Sequence, residues 1–346
     1  NKQGIGEVSN LLLGTGAALT GFALLAANTA ANFDASMSSV QAATMETAAN
    51  MGLLREAAIE AGASTSFSAT EAAGAIEELA KAGVSTADIL AGGLSGALNL
   101  AASDGMAVAD AAAIASSAMV QFGLSGKDAS HVADLLASGA GKALGSVSDL
   151  GGALNQSGLV ASQMGLSIEE TTGSLAMFAE SGLIGSDAGT SFRSMLLRLA
   201  NPTKESKKLM DELGISAYDA GGNFVGMESL AGQLQSQLGG LTQEQRNSAL
   251  ATIFGQDAIR AAAIAYENGA EGVAKWETAV NDQGYAAEQA AIRLDNLTGA
   301  LEGLGGAWET ALINLGSTAD GPLRALVQGA TDAVNAFSGL PDGVQG

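Results

Sequence analysis

The chain has no cysteine, one histidine, three prolines and few aromatic residues, 4% of 346. Without cysteine there are no disulfides and no thiolate metal sites, and the redox compartment is left undetermined. With one histidine, His131, zinc ligation and Cys-based catalysis have no material. Ser130 and Asp128 stand close to His131 in sequence, which is not a catalytic arrangement, so it is expected on a helix surface. Three prolines exclude a Pro-rich linker. Basic residues are scarce too: 15 Lys and Arg face 36 Asp and Glu, a net charge of −21. Binding a nucleic-acid backbone needs clustered Lys and Arg. The one dense basic run, Lys204, Lys207 and Lys208, is diluted by Glu205, Asp211 and Glu212. A solvated acidic surface is expected, one that repels DNA, and no sequence-specific nucleic-acid binding.

What the chain has in excess is glycine, 47 residues, together with alanine. Ala with Leu, Met, Gln and Glu favours helix. The glycines are then punctuation between helices, or contact points where helices meet closely. The expected class is all-α: a multi-helix array of short Gly/Ser-capped helices. The length allows two ordinary domains or one extended array. A start at Asn1 rather than Met suggests a piece of something longer, and no cleavable signal peptide is apparent.

Val8 to Phe33 runs 26 residues without a charge. That is long enough to cross a bilayer core of about 30 Å, and Gly14, Gly16, Ala17, Ala18 and Gly21 are the small residues that bring membrane helices together. Asn10, Thr15, Thr20, Asn28 and Thr29 make it only moderately apolar. Two readings stay open, a buried or oligomer-lining helix and a membrane contact. Helix is expected to continue over 34–62, with Met37, Val40, Met51 and Leu54 on one side, and a loop at Ser64 to Phe67.

A joint then recurs. Gly83-Val84-Ser85-Thr86-Ala87-Asp88 has the order glycine, apolar residue, serine, and an acid three places on. The order returns at Gly123–Asp128, Gly165–Glu170 and Gly214–Asp219, with a variant, Gly240-Leu241-Thr242, ending in Gln245. Glycine takes the left-handed conformation that closes a helix; Ser or Thr caps the next, and the acid or Gln returns the hydrogen bond. Spacings of 40, 42, 49 and 26 residues are too uneven for a strict repeat. The Gly214 copy is the exception, because Gly221-Gly222-Asn223 inside 215–225 suits a small β-hairpin.

Near the end, Ala290, Leu294, Leu297, Leu301, Leu304, Trp308, Ala311 and Leu315 step by alternating 4 and 3, a heptad seam that predicts a coiled-coil-like C-terminal helix. Gly299, Gly303, Gly305 and Gly306 weaken it as a free helix, by about 1 kcal/mol each against Ala, so it needs tertiary or intersubunit support. It is a core helix of its own chain or a self-associating seam. The expected segments are an apolar lead-in helix over 1–33, a helical core over 34–260, and C-terminal helices over 261–346. No catalytic, cofactor-binding or metal-binding residues emerge. Glu169-Glu170 and Glu77-Glu78 are consecutive, so neither pair forms an obvious acid/base dyad. Gly92-Gly93 and Gly151-Gly152 lack the strand and Lys-Ser/Thr of a phosphate loop.

The most informative stretch is Ser181 to Leu199. Gly182 and Gly185 flank Leu183-Ile184 in a tight link between two helices. Ser186 is expected as the N-cap, Asp187 sits where a carboxylate suits the helix dipole, and Gly189 allows close packing. Phe192, Met195, Leu196 and Leu199 form an apolar face, Arg193 and Arg198 project elsewhere, and Asn201-Pro202 stops the helix. These residues resemble the core signature of the phage tail tape measure protein family, in its minor tail protein branch, at Gly185, Ser186, Ala188, Gly189, Thr190, Arg193, Leu196, Arg198 and Leu199. The resemblance extends upstream to Phe33–Val40, Ser64–Ala73, Leu79–Gly83 and Gly165–Glu170, and downstream to Pro202–Glu205, Leu213–Ile215 and Ile253–Gly255, in order over roughly 33 to 260.

The resemblance implies a non-enzymatic structural protein without cofactors that sets tail length during assembly and is linked to DNA ejection. Implied partners are the tail tube protein, tail tip proteins, tail assembly chaperones and copies of itself. The implied location is the virion, in the tail lumen or tip. The alternative is a membrane-active conduit at the host envelope, with 8–33 touching the host membrane during ejection.

Overall fold

The computed structural model describes residues 25–338, with side chains as far as Ser317. Residues 25–44 form α1. There follow α2 (Ala48–Ser64), α3 (Ala69–Lys81), α4 (Thr86–Asp88), a π turn at Ile89–Gly93, α5 (Leu94–Asp104) and α6 (Val108–Phe122). After a 3-10 turn come α7 (Ala129–Lys142), α8 (Val147–Gln163), α9 (Ile168–Glu180), α10 (Gly185–Ala200) and α11 (Lys204–Leu213). The series closes with α12 (Gly226–Leu238), α13 (Gln243–Phe254), α14 (Ile259–Val280), α15 (Tyr285–Leu294) and α16 (Leu297–Ser338). The fold is all-α. Among the described residues the β feature is one antiparallel bridge, Tyr218 with Phe224, inside the segment expected to form a hairpin.

Four of the five joint glycines work as their chemistry requires, and the fifth, Gly240, does not take the left-handed conformation expected of it. Gly83, Gly123, Gly165 and Gly214 take φ of +83°, +63°, +89° and +71°, where a side chain would strain the backbone. Ser85 and Ser167 accept the N–H of Asp88 and Glu170, and Ser125 and Thr242 make full capping boxes with Asp128 and Gln245. The Gly214 copy diverges. Ser216 donates its N–H to Gln233 Oε1 and its hydroxyl to the Tyr218 carbonyl, and the chain turns into the bridge. A further capping box, Ser146 with Asp149, opens α8.

Two expectations are corrected. Helix does not run unbroken over 34–62: Met45 adopts φ +52°, and Thr47 caps a new helix by accepting the Asn50 N–H. Ser186 is not the N-cap of α10. The helix opens one residue earlier, at Gly185, and the cap position is held by Ile184, which has no acceptor to offer.

The chain divides into two compact units. One joins the segment up to Ala73 to the segment from Ala300 onward, and the other runs Gly74–Gly299. In the second unit α9 is the centre, with every residue from Thr171 to Ala179 buried. It packs against α7, α8, α10 and α14. Gly173 makes the α14 crossing possible, since a Cβ there would fall 2.8 Å from the Glu277 backbone nitrogen. Asp134 on α7, 9% exposed, accepts the N–H groups of Gly284 and Ala286 at 2.8 and 3.0 Å and so caps α15 from another helix. Lys142 fixes the same corner through Asp282 at 2.6 Å and the Ala279 carbonyl at 2.8 Å.

In the first unit, Phe33, Val40, Leu54 and Ala58 are fully buried. Arg55 pairs with Asp34 at 2.6 Å and stacks over the Phe33 ring, 4.7 Å from its centroid. The inner side of α16 here is Gly306, Thr310, Ile313 and Gly316. A Cβ on Gly306 would fall 2.6 Å from the Phe67 carbonyl oxygen, and one on Gly316 2.3 Å from that of Ala26. Thr70 adds a hydroxyl bond to Glu309 at 2.6 Å. Close backbone approach at the two glycines, together with the buried Leu312 and Ile313 side chains, holds this helix.

Candidate functional site

The residues of the signature helix form a packing site. Ala188, Phe192, Met195, Leu196 and Leu199 are buried on the inner side of α10. A Cβ on Gly189 would fall 2.1 Å from the Ala153 carbonyl oxygen, so α8 and α10 cross almost backbone to backbone. Phe192 meets Phe178 edge to face, with ring centroids 5.4 Å apart. Gly185 faces the Asp149 carboxylate, and Ser186 the Gly152 backbone. Arg193 donates to Gln156 Oε1 at 3.5 Å, Arg198 lies beside Gly255, and Thr190 is half-buried. Asp187, in the first turn, faces Arg260 at 3.7 Å. The signature thus records a helix crossing and its two ends.

The residues that carry titratable chemistry do not converge. His131 Nε2 lies 2.8 Å from Glu169 Oε1. Ser130 instead bonds the Gly92 carbonyl, and Asp128 closes its capping box with Ser125. Glu169 and Glu170 diverge as expected, whereas Glu77 and Glu78 converge on one lysine. Burial opposes ionisation of Glu169, but the bonds from His131, from its own backbone N–H and from Ser167 together outweigh it and hold the carboxyl below its usual range. Glu170 points instead at the start of α12, where it accepts the Met227 N–H. Burial pushes it up, the Met227 bond offsets part of this, and Glu277 and Glu228 add repulsion. Glu77 and Glu78 both reach Lys81, at 2.8 and 2.9 Å. Among the described residues no three His, Asp or Glu side chains are grouped to hold a metal ion.

The heptad residues fall on two helices. Ala290 is 5% exposed on α15, which packs against α5 and α7, and Leu294 ends that helix half-buried. Asp295 and Asn296 break the helix, and Asn296 caps the start of α16 by accepting the Gly299 N–H at 3.1 Å. From there the stripe faces outward. Leu297, Leu301, Leu304, Trp308 and Leu315 are 76, 59, 65, 53 and 51% exposed, and Ala311 is exposed with them. Sequence periodicity locates this stripe but not its direction. The inward glycine side is the legible signal for it.

The apolar stretch 8–33 lies largely outside the described residues. Among those described, no single helix is long and apolar enough to cross a membrane. One bent pair, Thr86–Asp104 with Val108–Phe122 at 116°, passes that test together, by length and composition alone.

Among the described residues this is a many-helix scaffold whose joints are glycine turns and polar caps, with a leucine stripe on α16 turned outward. The comparisons agree with that class. Residues 55–255 match the family described as phage-related minor tail protein. The chain is 38% identical over 340 residues to the tape measure protein of Pneumococcus phage Dp-1, covering 96% of this chain and 30% of that protein. It is 31% identical over 295 residues to the probable tape measure protein of Escherichia phage P2, covering 84% of this chain and 36% of that one. No solved structure matches. The chain belongs to the phage-related minor tail protein family. It spans about a third of the length of the two curated relatives.

Proposed function

We propose that this chain is the core segment of a tape measure protein that sets tail length during assembly, in a structural rather than enzymatic role. The observation that carries the reading is the division of α16 into two faces. Its glycine side is anchored in its own unit, while Leu301, Leu304, Trp308 and Leu315 face out at heptad spacing. A helix held in this way offers a seam to copies of itself and a direction in which a rod can extend. At 1.5 Å per residue the 42 residues of α16 span roughly 63 Å. A ruler of tail dimensions then needs the sequence that the relatives have beyond this segment. The Gly74–Gly299 unit acts as a core domain, and α16 as the helix that leads into the rod.

The location that fits is the tail lumen, with tail tube, tail tip and assembly-chaperone proteins as partners alongside further copies of the chain. The test is tail length by negative-stain electron microscopy in phage whose adjoining helical region carries in-frame deletions or duplications, with this segment intact. Length that changes in step with residue number is expected. Unchanged length with failed DNA delivery would overturn the ruler. The seam has its own test: Leu301→Glu with Leu304→Glu should lower the sedimentation coefficient without lowering the melting temperature.

A further inference from the structure

Helices α1 and α2 share one apolar stripe. On α1 the buried residues Ala26, Ala30, Phe33, Met37 and Val40 step by alternating 4 and 3. On α2 Leu54, Ala58 and Ala61 do the same. The two series are in register, because Val40 and Leu54 lie two heptads apart with Thr44, Thr47 and Met51 at the places between. A heptad pattern held over about five repeats is the mark of one long helix. Nothing local demands a break in it. Gln41 to Ala49 contains no glycine or proline, and its alanines, methionine, glutamine and glutamate suit a helix.

Yet Met45 takes φ +52°, a left-handed conformation that strains a residue with a side chain. Its side chain is 88% exposed, so burial of Met45 does not explain the turn. The local bonds are at the surface: Gln41 Nε2 donates to the Glu46 carbonyl at 2.8 Å, and Thr47 accepts the Asn50 N–H at 3.3 Å.

The bend is imposed from farther away. Arg55 and Asp34 hold the two helices together at 2.6 Å. Helix α16 meets the outer end of each, with Gly316 against Ala26 and Ala30, and Gly306 against Gly62. The two glycines stand ten residues apart, roughly 15 Å along α16, whereas Ala26 and Gly62 on one straight helix would be roughly 54 Å apart. Both contacts exist only while the chain is bent at Met45.

We propose that α1 and α2 form a two-state element clasped by α16. It is a hairpin while α16 holds both ends, and a single helix over 25–64, roughly 60 Å long, when α16 is withdrawn. Straightening uncovers Phe33, Met37, Val40 and Leu54, so the bent form is the resting one. The straight form relieves the backbone at Met45 and gathers the whole stripe into one seam, the pattern by which helices of separate chains pair. The element lies within one unit of the chain, so the proposal stands or falls apart from the length-setting role.

The test measures a distance within the full 346-residue chain. The chain has no cysteine, so Ala35→Cys with Glu56→Cys takes two spin labels and no others. Both positions are exposed, and each is next to a member of the Asp34–Arg55 pair. Pulsed electron double resonance, on labelled chain diluted in unlabelled chain, should read under about 20 Å in the parent. Gly316→Leu, whose side chain would enter the Ala26 carbonyl, should add a narrow peak near about 32 Å, the helical rise between the labels. Adding Met45→Gly, which relaxes the turn and weakens a continuous helix, should reduce that peak about fivefold or more. Gly316→Ala, a smaller intrusion at the same point, repeats the comparison if the leucine variant does not fold. A short distance alone in both Gly316 variants, a broad distribution that marks α1 as unfolded, or a long peak that Met45→Gly leaves unchanged overturns the proposal.

Discussion

Helices α10 and α16 carry nearly the same pattern, apolar residues at steps of 3 and 4 with glycines among them, and use it in opposite ways. In α10 the Phe192, Met195, Leu196 and Leu199 stripe is buried, and Gly189 extends the same inner side to meet the Ala153 carbonyl. In α16 the glycines Gly306 and Gly316 point inward, toward the backbones of Phe67 and Ala26, and the leucines of the stripe point out. Apolar periodicity marks a stripe that wants cover. Which side is covered by the chain itself depends on how closely neighbouring backbones come. Large side chains keep helix axes about 8–10 Å apart, whereas glycine permits a closer approach that excludes leucine from the same contact.

The strongest challenge to this contrast is to add bulk at the crossing. Gly189→Leu would drive a side chain into the Ala153 carbonyl, whose oxygen lies 2.1 Å from where a Cβ would stand, and should cost more than about 4 kcal/mol. The expected readout is loss of a cooperative thermal transition; a melt within a few degrees of the parent would show that α8 and α10 separate easily.

A matched pair of truncations sharpens it. Leu196→Ala removes a side chain with 0% exposure and should cost about 3 kcal/mol in a urea titration. Leu304→Ala removes one that is 65% exposed and should stay within about 0.5 kcal/mol when measured on dilute protein. Equal losses would mean that the α16 stripe is buried after all.

The joints give a smaller effect. Asp149→Ala breaks the capping box at the start of α8, where the carboxylate accepts the Ser146 N–H at 2.9 Å. About 1 kcal/mol should be lost. No such loss is expected from Asp187→Ala, whose partner Arg260 is exposed and 3.7 Å away.

The smallest effect is a gain. Burial, with repulsion from Glu228 and Glu169, raises the Glu277 carboxyl above its ordinary range. The folded chain therefore binds that proton more readily than the unfolded chain. The resulting stability is present in full below the unfolded range, near about pH 4.3, and is lost as pH rises through the higher folded value. Glu277→Gln should raise the melting temperature at neutral pH by about 1 °C, since most of the group is solvated and screened, and the difference should close at pH near about 4. A variant that gains equally at both pH values would assign the effect to packing instead of charge.

Much of the architecture is legible because it rests on short-range chemistry. Gly83, Gly123 and Gly165 announce their left-handed turns through the capping serine two places on, and Ser125 with Asp128 announces a box. Ser146 with Asp149 is equally readable from its Ser-x-x-Asp spacing. The break at Met45 is not, since nothing in its residue type asks for φ +52°; Thr47 with Asn50 is the one local hint. Ser186 misleads for a related reason: Gly185 starts the helix at φ +63°, which puts the serine inside the first turn.

The helical class, the positions of most joints and the lack of thiol chemistry follow from the order of residues alone, because each depends on residues within a few places of one another. The two apolar stripes are located in the same way. Tertiary packing was needed to put α9 at the centre of its unit with Thr171, Thr172 and Ser174 buried in it. The same holds for Asp134 capping α15 from 150 residues away, and for the outward turn of the α16 leucines. Each of these depends on which backbones come close across long stretches of chain, and a local pattern carries no information about a neighbour it does not contain.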